Sequence, residues 1–417
     1  MTVEFILLLI SSIIIFGFIG EVVFKKAGVP DSLFLIALGF VIGPSGLGVI
    51  KPDSLTILAP LFITVTLVFL LFDGALAIDL KSFAEGIGPG IKIAIFNFLI
   101  SALVIGSILF VLKFEVLESA MVGFCLGGVS SAFTIPVLKK IEPRKHLVSI
   151  LTLEAALTDV LAIVLALTMI ELQQSRIFLV KNVLSEIAGL FAIAGMIGIC
   201  AGFLWIFLEQ KFVDKDKYYM VTVAYVFLVY LITEYLGGNG AIAALFLGIV
   251  LANSKLLMEL LNRIRRKRKP VEKGKGGSIS IEPEVTRRER MFYDEISFFL
   301  KTFFFVYIGL LLNVRNSRAV LLGVGIAVVL MLFRNLSSLL SRSYSKVDRM
   351  LINSLFARGI ASAVIILIAV RRGMTTGSLL FDTVYVVITV TILFSSLRIY
   401  LYDRYRKRQE SLQEKST

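Results

Sequence analysis

The sequence predicts an all-α polytopic membrane protein of about thirteen transmembrane helices. Three observations carry this. Hydrophobic residues make up 57% of the 417-residue chain, charged residues 18%, and the mean hydropathy is +0.90. Apolar runs of roughly 17 to 25 residues, each long enough to cross a bilayer, recur along the whole chain. When the runs are laid alternately across a membrane, most of the 43 Lys and Arg residues fall on one side, the positive-inside bias of such proteins. A β-barrel is excluded, because its segments would alternate polar and apolar residues over about ten positions.

The expected spans begin near residues 3, 32, 57, 91, 119, 147, 184, 218, 239, 293, 318, 350 and 379. The first is full-length and no small-residue cleavage pattern closes it, so it reads as a span, not a removed leader. The basic face holds Lys139, Lys140, Arg144 and Lys145 after span five, together with the stretch RIRRKRKPVEKGKGGSISIEPEVTRRER (263–290) and the C-terminal tail. The N-terminus is therefore expected outside and the C-terminus in the cytoplasm of a cell-membrane protein, which requires an odd number of spans. The net charge of +13 reports this topology and contact with anionic lipid headgroups; no nucleic-acid partner is expected. The 263–290 stretch is Gly-rich, basic and poor in apolar residues, and reads as a flexible linker. The tail from Arg404 to Thr417 reads the same way. Cys125 and Cys200 both fall inside spans and are expected as free thiols. With His146 they give no ligand set for structural zinc, and no cofactor is expected.

Span five carries Gly127, Gly128, Ser130, Ser131, Thr134 and Pro136 near its middle; seven spans later, span twelve carries Asn353, Ser354, Arg358, Gly359 and Ser362. An offset of seven spans reverses orientation, so spans one to six and eight to thirteen read as two inverted six-helix repeats joined by span seven. Matching interruptions in two halves point to discontinuous helices at the midplane. The expected organisation is 1–175 for the first repeat, 176–216 for the linking helix and 217–254 for spans eight and nine. The basic linker follows at 255–291, spans ten to thirteen at 292–400, and a tail at 401–417.

Charges at membrane depth are costly and default to function or pairing. The bases there are Lys301, Arg334 and Arg358; the clear acids are Asp73, Glu154 and Asp159, with Glu234 and Asp382 nearer span ends. Asp159 lies mid-span in LVSILTLEAALTDVLAIVLALTMI (147–170), beside Thr158. Five helical residues turn about 500°, so Glu154 and Asp159 point about 140° apart and take different roles. Asp159, with hydroxyls nearby and a predicted broken helix, is the candidate to exchange a proton. Carboxylate, hydroxyl and freed carbonyl oxygens are also the hard ligands a cation such as sodium requires. Competition of a cation and a proton for one acid, reached alternately from each side, is enough for antiport. An intramembrane enzyme is not expected: the chain has no H-E-x-x-H metal motif and no G-x-S-x-G elbow. Nor does it show the filter repeat of a channel.

Several stretches then acquire a common meaning: KKAGVPDSLFLIALGFVIGPSGLG (25–48), LLFDGALAIDLKSF (70–83), LEAALTDVLAIV (153–164), LGGNGAIAALFLGIVLAN (236–253), FFFVYIGLLLN (303–313) and ARGIASAV (357–364). In this order and spacing the chain resembles the monovalent cation/proton antiporter superfamily, and within it the NhaP/NHE-like sodium/proton exchangers. The resemblance implies the antiporter fold with broken helices five and twelve. It also implies a homodimer in which a six-helix core shuttles one cation by an elevator-like movement. It makes Asp159 the ion- and proton-carrying aspartate, and hence the ligand of the transported metal cation. Glu154 and Arg334 become an intramembrane acid–base pair, Asp73 an acid of span three, and Arg358 the arginine of an L-R-G motif. Lys301 stands where many relatives carry a base.

Two departures bear on the ion. Exchangers usually have Asn-Asp where this chain has Thr158–Asp159. They usually carry Thr-Asp-Pro in span five, where counting about eight turns back from Asp159 gives Val129–Ser130–Ser131. Thr134–Ile135–Pro136 imitates that motif about one turn later, and the Asp is missing in either register. A single exchangeable acid favours electroneutral one-for-one exchange. Sodium is the favoured ion, lithium a further candidate and potassium the alternative. A non-transporting homologue with a degenerate ion site is the reading from another class.

Overall fold

A computed structural model of the protein describes residues 3–27, 31–50, 59–76, 80–141, 143–175, 180–212, 218–259, 286–341, 344–374 and 378–414. Every regular element among the described residues is helical. The helices are α1 (Val3–Ala27), α2 (Asp31–Ile42), α3 (Ala59–Ala75), α4 (Leu80–Val111), α5 (Val116–Cys125), α6 (Ser131–Ile141), α7 (Lys145–Ser175) and α8 (Val180–Phe212). They continue with α9 (Tyr218–Tyr235), α10 (Gly240–Ala252), α11 (Arg287–Leu311), α12 (Ser317–Arg334), α13 (Ser337–Leu340), α14 (Lys346–Ser354), α15 (Ile360–Arg371) and α16 (Ser378–Glu414). Their order follows the thirteen expected spans, with span five divided into α5 and α6 and span twelve into α14 and α15. Gly90–Val111, His146–Ile170, Ala192–Glu209, Ser317–Arg334 and Ser378–Gln409 are by length and composition alone able to cross a membrane. The broken spans are necessarily made of shorter pieces.

Three boundaries differ from expectation. Helix α4 begins at Leu80, not near 91, and runs through Gly86 and Pro89. Leu80, Lys81, Ala84 and Glu85 are good helix formers, so the helix begins ahead of the apolar run, and Gly86 and Pro89 weaken it without ending it. Helix α11 begins at Arg287, inside the expected linker, because Thr286 and Glu289 form a capping box. The Glu289 N–H donates to Thr286 Oγ1 at 3.3 Å and the Thr286 N–H donates to Glu289 Oε2 at 3.2 Å. The remainder of that linker, 263–285, lies outside the described residues. The tail was expected to be flexible, yet α16 continues to Glu414. Its residues lack Gly and Pro, and Lys407 pairs with Asp403 one turn back at 2.6 Å, which favours the helix.

The chain divides into two compact units: 1–67, 86–187 and 298–417, and a second formed by 68–85 and 188–297. Within the first, α12 and α16 pack along each other, and α7 is surrounded by α5, α6 and α15. Helices α2 and α11 meet backbone to backbone, since a Cβ on Gly39 would fall on the Val306 carbonyl and one on Gly309 on the Ile36 carbonyl. In the second unit Phe69 and Phe72 each meet Tyr293 edge-to-face, with centroids 6.2 and 5.6 Å apart, and tilt against each other at 6.1 Å. Outward-facing apolar residues such as Leu7, Leu8, Ile15 and Phe18 remain exposed on α1. That is the surface expected of a helix whose solvent is lipid.

Candidate functional site

The site forms where the two broken spans cross. Residues 126–130 separate α5 from α6, and 355–359 separate α14 from α15. Each break strands backbone donors and acceptors inside an apolar interior, where each one left unmet costs several kcal/mol. The partners are specific. The Ser130 N–H donates to the Ala357 carbonyl at 2.9 Å, joining one break to the other. The Val129 N–H donates to Thr158 Oγ1 at 2.9 Å. Arg358 Nη1 donates to the carbonyls of Gly127, at 3.0 Å, and Gly128, while Nη2 donates to Ser101 Oγ at 3.1 Å. On the other side, the N–H groups of Phe356 and Arg358 donate to Ser395 Oγ and Thr391 Oγ1 of α16.

Asp159 comes from the middle of α7 and meets the first turn of α6. Its Oδ2 accepts from the Ser131 N–H at 3.0 Å and from Ser131 Oγ at 2.6 Å. The carboxylate therefore sits at the positive end of the α6 dipole, where an anion is stabilised. Its Oδ1 has no hydrogen-bond donor among the described residues, and the residue is 8% exposed. A buried carboxylate with one oxygen held and the other open can take a proton or a cation on the open oxygen. Thr134 lies one turn along α6 and is buried, with an Oγ1 that makes no hydrogen bond among the described residues. Ser130 is buried with its side chain against Gly359. Ser131 and Thr158 are already engaged: Thr158 Oγ1 also donates to the Ala155 carbonyl at 3.3 Å.

The crossing leaves no room. A Cβ on Gly359 would fall on the Ser130 side chain, and one on Gly128 would lie 2.7 Å from the Thr158 carbonyl oxygen. Gly359→Ala is expected to cost about 1–3 kcal/mol of stability and to displace Ser130. A thermal unfolding midpoint equal to wild type, with full activity, would show that the crossing is not tightly packed.

Glu154 faces away from Asp159 and forms a bidentate pair with Arg334 of α12, with Nη2 to Oε2 at 2.9 Å and Nη1 on Oε1. Arg334 also donates from Nε and Nη2 to the Ile352 carbonyl at 3.0 and 2.8 Å, closing the frayed end of α14. Asn97 Nδ2 donates to Glu154 Oε1 at 2.8 Å, and Ser337 Oγ donates to Asn97 Oδ1 at 2.7 Å. The sequence reading did not single out Asn97, Ser337, Ser101, Thr391 or Ser395. Each is an uncharged polar residue in a largely apolar stretch, which is common enough to pass unnoticed.

Two candidates remain, Lys301 and Asp73. Lys301 is half-buried on α11, and its charge acts on Asp31 at the start of α2. Asp73 belongs to the second unit, where its Oδ2 accepts from Ser297 Oγ at 2.6 Å and its buried Oδ1 accepts no hydrogen bond among the described residues. Among the described residues no cluster of three or more His, Cys, Asp or Glu could hold a resident metal. Cys125 and Cys200 are free thiols.

With this geometry in view, the profile of the family described as "Sodium/hydrogen exchanger, transmembrane" matches residues 9–400. The chain belongs to that family. Two structures share the exchanger's fold, both of the sodium proton antiporter MjNhaP1 from Methanocaldococcus jannaschii. The structure at pH 8 is 18% identical, with a TM-score of 0.71 over 96% of this chain and 97% of that one. An electron-microscopy structure is 19% identical, with a TM-score of 0.73 over 98% and 97%. Among curated proteins, the exchanger is similar to the K(+)/H(+) antiporter NhaP of Alkalimonas amylolytica, at 23% identity over 96% of this chain. The K(+)/H(+) antiporter NhaP2 of Shewanella baltica (strain OS223) is also 23% identical, over 88% of this chain. The matched regions make up 67% and 61% of those longer proteins. The exchanger is thus an all-α polytopic membrane protein of the antiporter fold.

Proposed function

We propose that this exchanger is a secondary active antiporter that moves a monovalent cation against a proton, with Asp159 binding each in turn. The observation that carries the reading is the half-open carboxylate. Ser131 fixes Oδ2, so Oδ1 points from a defined position at the crossing of two broken helices. Protonated, Asp159 is neutral and crosses as one species; with a monovalent cation it is again neutral. One exchangeable acid gives electroneutral one-for-one exchange. Ser130 and Thr134 offer neutral oxygens to complete the cation's shell, and the charge of Arg358 is committed to carbonyls of the break. Asp73 is assigned to the ion pathway and Lys301 to support of the scaffold. Alternating access is assigned to an elevator-like movement of one part of a homodimer's protomer, in a cell membrane with the N-terminus outside.

Sodium, with lithium beside it, is the first reading of the ion, supported by the match to the sodium/hydrogen exchanger family over residues 9–400. Potassium is the second, favoured by the K(+)/H(+) names of the curated relatives and by Val129–Ser130–Ser131 standing where sodium exchangers usually carry an acid. The test is dequenching of a pH dye inside proteoliposomes on addition of sodium, potassium or lithium. A cation-specific signal establishes antiport and names the ion. Silence for every ion between about pH 6 and 9, from folded protein, would leave only the degenerate, non-transporting reading. Ser130→Asp, which restores an acid to the break, is expected to change ion preference or apparent affinity severalfold in the same assay. An unchanged profile would remove Ser130 from the ion's surroundings.

A further inference from the structure

A second site lies where α14 meets the C-terminal half of α16, at the ends of both helices that the charge distribution assigns to the cytoplasm. A cavity of about 340 Å³ there is lined by Lys346, Arg349, Met350, Asn353, Ser354, Arg398 and Leu401. Three of these side chains are cationic and none is a carboxylate. The acid of the same helix, Asp348, is engaged elsewhere, at 3.3 Å from Arg144. Arg349 has a buried Nε without a hydrogen bond, and its guanidinium makes no ion pair among the described residues. The ammonium of Lys346 is likewise unpaired among them and exposed. Arg398 is held in place: Nη1 donates to the Asn353 carbonyl at 2.9 Å, Nη2 to Asn335 Oδ1 at 2.7 Å, and its guanidinium lies 5.8 Å from the Phe356 ring centroid. Its other N–H groups remain as donors.

Like charges gathered around a concavity repel one another unless an anion joins them. Two guanidinium forks and an ammonium suit a phosphate, which accepts bidentate Arg contacts. An exposed apolar row begins at the cavity. Leu401 lies on its wall, and Leu397 and Leu393 follow at one-turn intervals along α16, with exposures of 49, 57 and 50%. Tyr400, beside Leu401 and 44% exposed, is of the amphipathic aromatic type enriched at membrane interfaces. An anion-binding cavity beside a row of exposed leucines matches an amphiphile better than a free ion.

We infer that this cavity binds the phosphate headgroup of an anionic phospholipid, with an acyl chain lying along Leu397 and Leu393. The bound phosphate bridges α14 to α16. Helix α14 ends at Ser354, four residues before Arg358 in the break, so the lipid stiffens the scaffold that presents the crossing without touching the ion. The inference does not depend on which cation is carried, nor on transport itself.

Full-length protein in detergent, titrated with phosphatidylglycerol, phosphatidylcholine or inorganic phosphate, tests this by native mass spectrometry and by the thermal unfolding midpoint. Phosphatidylglycerol is expected to bind and to raise the midpoint, and phosphatidylcholine to do neither. The K346A/R349A variant is expected to bind phosphatidylglycerol at least about tenfold more weakly. Its lipid-free midpoint should match wild type, since neither side chain has a hydrogen-bond or ion-pair partner among the described residues. The charge-keeping K346R/R349K variant should retain binding, and the single variants K346A and R349Q give the same test with a smaller perturbation. Undiminished phosphatidylglycerol binding to the alanine variants would overturn the inference, as would equal binding of phosphatidylcholine. Stabilisation by millimolar inorganic phosphate equal to that by the lipid would overturn the lipid source and leave a free-phosphate site.

Discussion

Asp159→Asn is expected to reduce cation/proton exchange to the level of empty liposomes while the protein stays folded. The effect is electrostatic and local. Asparagine keeps the size of the side chain, and its amide oxygen can still accept from Ser131, so the first turn of α6 keeps its contact. What is lost is the ability to gain and release a proton and to neutralise a cation. A neutral amide at this position offers a cation only a dipole, and no other carboxylate is hydrogen-bonded into the crossing among the described residues. The nearby acid Glu154 is tied to Arg334. Exchange that persists in Asp159→Asn at more than a few per cent of wild type would remove Asp159 as the carrier.

Arg334→Ala carries the largest expected loss of stability, about 3–5 kcal/mol, because it leaves Glu154 as an unpaired buried charge. Arg334 is 5% and Glu154 1% exposed, so neither gains water when its partner is removed. Arg334 also closes α14 through the Ile352 carbonyl, so its loss should exceed that of Glu154→Ala. The double variant Glu154→Ala/Arg334→Ala should cost less than the sum of the two single changes, since it leaves no orphaned charge. Lysine cannot reproduce the bidentate fork, so Arg334→Lys should recover only part of the loss. Unfolding in detergent, followed across the four proteins of the cycle, measures this. Additive losses would mean that the contact contributes no coupling.

The parts of this molecule legible in the sequence were those written as periodicity or as anomalies within it. Apolar runs placed the helices, and the Gly–Ser–Pro clusters at 127–136 and the Asn–Arg–Gly cluster at 353–359 marked both breaks. Counting turns from Asp159 put Val129–Ser130–Ser131 at the place of the exchangers' Thr-Asp-Pro, and the structure has Ser131 donating twice to the Asp159 carboxylate. The 140° separation of Glu154 from Asp159 sent them to different partners. Arg358 was harder to read. Counted as a buried base it called for an acid, but it is held by the carbonyls that the first break exposes, and no sequence signal says that a freed carbonyl will be nearby. Thr391 and Ser395 were missed for the same reason, because they serve N–H groups stranded by a break in another helix. The helical tail escaped notice because its charges were read as solvation, whereas Asp403 and Lys407 also pair along one face.

The central claim is that one carboxylate holds a proton or a cation, never both. Purified protein in weakly buffered detergent solution, titrated with sodium or potassium in the presence of a pH dye, tests it without any transport step. The account predicts release of about one proton for each cation bound, fading at low pH where protons win the competition, and absent in Asp159→Asn. Cation binding without proton release, or release undiminished in Asp159→Asn, would contradict it.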